Sequence, residues 1–168
     1  MMSEAIALLA DSSAVNLACF EVNEQLYAIE VEYVREIVRM MEITPLPNAP
    51  SLIEGVIDLR DTVIPVMDLA KALNRGMASS GTPARIIVLE VDGLVLGLGV
   101  DAATDVLTLD KQHLEDVPDL ATKAGYDAVR HVVRRDGEPP IMVLAVDRLV
   151  EDIYQSALPE IAVTSEVQ

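Results

Sequence analysis

Short apolar runs alternate with polar turns along the chain, and three segments share one layout. Each has an aliphatic run, a tight polar turn and a second aliphatic run, over residues 20–31, 86–101 and 132–147. In the last two the turn is an Asp-Gly pair, a strong β-hairpin signal. The runs are almost continuously apolar, so we expect both faces of each strand to be covered. Such short strands are more typical of small closed barrels than of an open sheet.

Helical features follow each hairpin. The apolar residues after the first hairpin, and again near the end of the chain, recur at helical spacing. Asp147 is a plausible N-cap for the last of these segments, and Asp68 for a single helical turn at 69–73. The pattern therefore predicts helical segments at 31–41, 101–107 and 147–158, besides the turn at 69–73.

Residues 46–69 hold the most informative polar group. Pro47 and Pro50 exclude a helix there, because proline lacks the backbone N–H and clashes with the preceding turn. Two aliphatic runs follow and predict strands, with a turn at Asp58-Leu-Arg60-Asp61 between them. An arginine at such a corner is either a solvated surface charge or the centre of a recognition site.

At 168 residues the chain suits one domain, or two small subdomains that share a core. Two segments rich in Gly, Ser, Pro or acidic residues interrupt the pattern, a loop at 74–83 and a surface excursion at 113–130. Neither has the character of a domain linker. We expect one domain over residues 16–155, with residues 1–15 and 156–168 mobile or weakly docked.

Composition narrows the possible partners and the compartment. A net charge of −16 opposes binding to nucleic acid and to anionic membranes. Aromatic residues are only 3% of the chain, so the core must consist of Val, Ile, Leu and Met. Cys19 is the single cysteine, and no apolar run reaches the roughly 20 residues that cross a bilayer. These features predict a soluble, cytoplasmic protein.

Residues suited to catalysis are sparse. His113 and His131 lie in no metal-binding motif, and Cys19 is expected to be a packed thiol. The carboxylates Asp58, Asp61 and Asp68 leave open an acidic, metal-dependent hydrolase. A binding module with no catalytic apparatus and no cofactor explains the pattern better, since its grooves and sheet edges would be the working parts.

Several motifs in a fixed order carry a family resemblance over residues 16–155. They are the segment 20–37, LPNAP at 46–50, IEGVIDLRD at 53–61, IPVMDL at 64–69 and GLGVD at 97–101. In this combination the chain resembles the CheW family of chemotaxis coupling proteins. The resemblance implies a mainly β fold, with two intertwined five-stranded SH3-like β-barrels, a groove between them and a few short helices, one of them C-terminal.

The resemblance also implies a function. CheW-like proteins are non-enzymatic cytoplasmic adaptors at membrane-associated receptor arrays. They join the cytoplasmic tips of chemoreceptors to the regulatory domain of a chemotaxis histidine kinase. The expected partner-binding residues follow by position: Arg60 matches the arginine of the family's Asn-Leu-Arg-Gly motif, and the others are Val34, Glu36, Gly55 and Ile86.

Plain structural roles stand beside these assignments. For Val34 and Ile86 the alternative is core packing, and for Arg60 it is a salt bridge to Asp58 or Asp61. The motif itself departs from the family, because Asp58 and Asp61 stand where the family has Asn and Gly. Both carboxylates flank the cation, so we count them among the partner-binding residues and hypothesise a divergent paralogue tuned to a particular partner. A CheW-like scaffold that has lost receptor coupling is the alternative.

Overall fold

The computed structural model describes residues 14–73, 84–117 and 128–154. Two α-helices lie in these ranges, α1 at Leu69–Leu73 and α2 at residues 146–154. The strands are β1 Ala14–Val22, β2 Gln25–Glu30, β3 Val34–Arg39, β4 Ile53–Leu59, β5 Thr62–Asp68, β6 Arg85–Val91, β7 Leu94–Val100, β8 Ala102–Asp110, β9 Glu115–Asp116, β10 Val129–Arg135 and β11 Glu138–Leu144.

The strands form two sheets, and the chain passes from the first to the second and back. The first sheet has the order β8-β1-β2-β11-β10-β9, in which β9 contributes only two residues. The second has the order β3-β6-β7-β5-β4. Because β1 and β2 precede the whole second sheet and β8 to β11 follow it, the two halves are intertwined. The predicted mainly β fold of two small barrel subdomains with few helices is confirmed. The first sheet has six strands where five were predicted, because the two-residue β9 pairs with the edge of β10.

Tight turns join the hairpins where polar residues interrupt the apolar runs. Three of the turns place both central residues in the left-handed region, as type I′ hairpin turns require. Their φ angles lie between 49° and 82°, at Asn23-Glu24, Arg60-Asp61 and Asp92-Gly93. The turn that the sequence predicts at residues 58–61 is thus confined to Arg60 and Asp61.

The strands bury both faces, as their continuous apolar pattern indicates. On β1, Leu17 and Cys19 point into a cluster within the first sheet's half, whereas Phe20 points into the central cluster between the halves. Strand β6 alternates likewise, with Ile86 in a cluster of the second half and Ile87 in the central one. The central cluster therefore joins the two halves into one core.

Two predicted helical segments are wrong. Residues 31–41 form a 3-10 turn at Val31–Tyr33 and then strand β3, which pairs with β6. Residues 101–107 belong largely to β8, which pairs with β1. A short apolar pattern fits either structure. Here the β-branched residues and the partner strand's hydrogen bonds favour the extended backbone.

The other two helices agree with prediction over the described residues, which leave out 155–158 of the second one. In α1 the Asp68 carboxylate accepts a hydrogen bond from the Lys71 amide at 3.1 Å, as a capping residue does. Helix α2 begins one residue earlier than predicted, because the Leu149 amide donates to the Ala145 carbonyl at 3.1 Å. Asp147 therefore lies in the first turn, where it forms an ion pair with Arg130 instead of capping the helix.

The remaining expectations about segments fall largely outside the described residues. These are the loop at 74–83, most of the excursion at 113–130, and the two tails. Among the residues that are described, no helix is long and apolar enough to cross a bilayer.

Candidate functional site

Arg60 lies at the tip of the β4–β5 hairpin, with its side chain 70% exposed. Its guanidinium donates a hydrogen bond to the carboxylate of Glu36 on β3, forming an ion pair across the end of the second sheet. No ion pair joins Arg60 to Asp58 or Asp61, so the salt bridge considered from the sequence is not the one that forms. The hairpin tip is instead tied to a strand 24 residues away in sequence.

The backbone at this tip is strained. Arg60 has φ 49° and Asp61 has φ 68°, and side chains other than glycine adopt such angles at a cost. Strand pairing on either side imposes these φ angles, because Leu59 pairs with Thr62 and only two residues are left to form the loop. Strain of this kind clusters at functional sites, and here it fixes where the Arg60 side chain emerges.

A β-bulge sets the direction of Glu36. The register of β3 against β6 shifts between Val34, which pairs with Leu89, and Glu36, which pairs with Val88. Bulges commonly re-aim a side chain in this way. Glu36 consequently shares a pocket of about 190 Å³ with Arg60; the pocket is lined by Arg35, Glu36, Leu59, Arg60, Thr62, Ile64 and Val88. Its floor is aliphatic and its rim is charged.

The other predicted site residues lie below this surface. Ile86 is completely buried within the second half, and Val34 is half-buried against the central cluster. Gly55 is buried in β4, where an added Cβ would come 2.4 Å from the Thr44 carbonyl oxygen. Ile86 and Gly55 can therefore influence a partner only by shaping the surface above them. Asp58 is exposed on β4 and Asp61 is exposed in the turn.

An apolar groove lies between the second sheet and helix α2. Its volume is about 180 Å³, and its most exposed residues are Tyr154 at 57% and Leu94 at 44%. The lining is Ile53, Pro65, Leu94, Val95, Leu96, Val150, Ile153 and Tyr154. The sequence predicts a groove only through the family resemblance and assigns none of these residues to it. The apolar stripe at 147–158 was the signal that could have found α2's contribution.

The arrangement of nucleophiles and carboxylates does not support the hydrolase alternative. In the described part of the chain, no three His, Cys, Asp or Glu side chains are grouped so as to hold a metal ion. Asp58, Asp61 and Asp68 are therefore not brought together, and Asp68 caps α1. Burial raises the pKa of the Cys19 thiol, and this effect is larger than the lowering effect of the Arg135 charge. A raised pKa disfavours the reactive thiolate.

Two intertwined small barrels, a charged pocket at one hairpin tip and an apolar groove beside a helix define a protein-binding module. A family model described as the CheW-like domain matches residues 16–154. The chain therefore belongs to the CheW family of chemotaxis adaptor proteins.

Individual relatives agree with this assignment. A chemotaxis protein CheW of Rhizobium meliloti is 35% identical over 121 residues, which cover 72% of this chain and 78% of the relative. A chemotaxis protein CheW of Treponema pallidum is 28% identical, with 86% of each chain covered. The crystal structure of the scaffolding protein TtCheW from Thermoanaerobacter tengcongensis superposes with a TM-score of 0.67 at 32% identity, covering 78% of this chain and 84% of that one.

Proposed function

We propose that this protein couples the cytoplasmic tips of chemoreceptors to the regulatory domain of a chemotaxis-type histidine kinase, without catalysing a reaction. The observation that carries the proposal is the Arg60–Glu36 pair, presented at a strained hairpin tip on a chain of the CheW family. The proposed partner-binding residues are those named from the sequence, of which the buried Gly55 and Ile86 act by shaping the surface above them. The proposed location is the cytoplasmic face of receptor arrays.

The exposure of Arg60 supports a role in binding more than one in stability. With 70% of its side chain in solvent, its ion pair is expected to contribute no more than about 1 kcal/mol to folding. Glu36 is 28% exposed and holds the guanidinium in one position. A cation fixed in this way is preorganised, so a partner carboxylate meets it at a smaller entropic cost.

The apolar groove supplies the other element that a helical partner requires. A receptor tip is a hairpin of helices, and an amphipathic helix docks by laying its apolar face into a hydrophobic groove. The groove beside α2 has an almost entirely aliphatic lining with Tyr154 at its margin. We therefore propose that the receptor helices bind in this groove. Arg60 would then contact an acidic side chain of the partner.

Replacing Arg60 by Glu tests the coupling function. The substitution reverses the charge at the hairpin tip and sets two carboxylates against each other, so co-sedimentation with receptor and kinase should fall at least tenfold. The free energy of unfolding should change by less than about 1 kcal/mol, because the side chain is exposed. Both quantities can be measured on the same preparation.

Two further variants make this test specific. Arg134→Glu is the control, because Arg134 is also exposed and paired with an acidic residue, Glu115, but lies on the first sheet; its co-sedimentation should stay near wild type. Arg60→Glu combined with Glu36→Arg restores the pair in reverse. Normal co-sedimentation of the Arg60→Glu protein would refute the role of this residue in coupling.

We further propose that Asp58 and Asp61 tune the protein to a particular partner. Both are exposed carboxylates beside Arg60 in the positions of the family's Asn and Gly, so they make the surroundings of the cation acidic. Asp58→Asn with Asp61→Gly should strengthen binding to a receptor tip that ordinary family members recognise. The idea fails if wild type already binds that tip as tightly as an ordinary member does.

A scaffold without receptor coupling remains the second candidate, and the same flanking carboxylates are what favour it. It predicts that the wild-type protein binds the kinase regulatory domain but shows no co-sedimentation with receptor alone. Pull-downs with each partner separately distinguish this scaffold from the coupling adaptor.

A further inference from the structure

Six of the eight arginines in the described residues each pair with a carboxylate, and the two exceptions stand side by side. The paired ones are Arg35 with Glu90, Arg60 with Glu36, Arg130 with Asp147, Arg134 with Glu115, Arg135 with Glu138, and Arg148 with Glu151. The other two, Arg39 and Arg85, lie directly opposite each other on β3 and β6. Both are exposed, and in the described structure neither has a carboxylate within ion-pairing distance.

This juxtaposition is unfavourable for the isolated chain. Directly opposite residues on antiparallel strands have Cβ atoms about 4.5–5.5 Å apart, and like charges at that distance destabilise a sheet. The chain has 28 acidic residues against 12 basic ones, so carboxylates are abundant elsewhere on its surface. Arg85 directs one guanidinium nitrogen to the neighbouring Ala84 carbonyl at 2.8 Å, which satisfies a donor but neutralises no charge.

We propose that Arg39 and Arg85 form a second docking site, which receives an Asp or Glu side chain from an acidic segment of a partner protein. Two guanidinium groups can bind one carboxylate through charge-assisted, forked hydrogen bonds. The bound anion then offsets the repulsion between the two guanidinium groups. Ile37 lies two residues before Arg39 on the same face of β3 and is 43% exposed, so it offers the partner an apolar contact beside the cations.

Charge favours a protein segment over a polyanion as the occupant. DNA or an anionic membrane would bring many negative charges against a chain with a net charge of −16. A short acidic segment brings only a few, and the isolated pair of arginines on an acidic surface would also orient it. The site is distinct from the Arg60 pocket, since neither Arg39 nor Arg85 lines that pocket.

An NMR titration of the whole protein with two peptides tests this proposal. The probes are acetyl-Leu-Glu-Glu-Leu-amide and its glutamine counterpart acetyl-Leu-Gln-Gln-Leu-amide, followed through the arginine side-chain Nε–Hε signals. Wild type should bind the acidic peptide about tenfold more tightly, with shifts at Arg39 and Arg85. The preference should shrink at 1 M salt, where the Debye length is about 3 Å.

The substitutions Arg39→Gln and Arg85→Gln together should abolish the preference for the acidic peptide over the glutamine peptide. The matched control, Arg134→Gln with Arg148→Gln, removes the same charge from an exposed and a half-buried arginine elsewhere and should keep the preference for the acidic peptide. Because like-charge repulsion is relieved, the first double variant should unfold at the same or a higher denaturant concentration. A clear loss of stability, equal binding of both peptides, or tighter binding to a DNA duplex or to phosphatidylserine vesicles would overturn the proposal.

Discussion

At the scale of single residues, the environment decides what a side chain does more than its type. Gly55 is the clearest case, because the sequence connects it with partner binding only through its place before the Asp58–Asp61 motif. In the structure it is buried where β4 passes the Thr44 backbone, and Thr44 and Val56 exchange hydrogen bonds beside it at 2.8 and 2.9 Å. The glycine is required there for close approach of two chain segments.

We predict that Gly55→Ala destabilises the fold. The new Cβ would lie 2.4 Å from the Thr44 oxygen and 2.8 Å from the Ile43 side chain, so backbone would have to move. The expected loss is about 1–3 kcal/mol of unfolding free energy, as for other overpacked sites, and urea denaturation measures it.

Gly93→Asn is the control for this measurement. Nothing lies within 4 Å of a Cβ at Gly93, and asparagine tolerates its φ of 82° better than most residues. The Asn variant should therefore lose no more than about 0.5–1 kcal/mol, less than the Gly55→Ala variant. Equal stability of the Gly55→Ala protein would show that the close approach can relax.

At the scale of elements, hairpin geometry places the side chains that are proposed to bind the partner. The Arg60-Asp61 and Asp92-Gly93 turns have similar backbone angles, yet only the second contains the glycine that suits them. At its second turn position the β4–β5 hairpin therefore retains strain that the β6–β7 hairpin avoids. That strain belongs to the turn that presents Arg60 to its pocket.

Exchanging these turn residues tests the strain directly. Asp61→Gly should raise the free energy of unfolding by about 0.5–1 kcal/mol, because glycine adopts a φ of 68° without steric cost. Gly93→Asp should lower it by a similar amount in the other hairpin. Thermal unfolding of both variants provides the measurement, and a destabilised Asp61→Gly protein would mean that the Asp61 side chain supports the turn.

At the scale of the whole molecule, the two halves share one core and should unfold together. Phe20 on β1 is fully buried in the central cluster, which also contains Leu89 and Leu98 of the second sheet. Its ring stacks on Tyr27 with centroids 6.1 Å apart. If one half unfolds, the residues that the other half contributes to this cluster become exposed.

Phe20→Ala should therefore destabilise both halves at once, by about 3–5 kcal/mol. Hydrogen exchange should show faster opening in β6 and β7 as well as in β1 and β2, and unfolding should remain a single transition by two spectroscopic probes. Leu26→Ala is the control, because Leu26 packs only at the edge of the first half's cluster. Separate transitions for the two sheets would contradict a shared core.

The sequence by itself determined the hairpins, the mainly β class and the helices at 69–73 and near the C-terminus. These follow from local chemistry: turn residues that accept left-handed angles, apolar runs with two buried faces, and a carboxylate cap at Asp68. The ordered motifs also identified the family and its candidate residues. Only tertiary structure decided between helix and strand at residues 34–39 and 102–107, because pairing with distant strands supplied the deciding hydrogen bonds.

Tertiary structure likewise decided the partners of the charged side chains. The sequence placed Asp58 and Asp61 within two residues of Arg60, yet the guanidinium pairs with Glu36 on another strand. The register of β3 against β6 likewise places Arg39 opposite Arg85, which is 46 positions away in the sequence. Charge interactions act through space, so a linear sequence fixes which charges exist, and the fold fixes which of them meet.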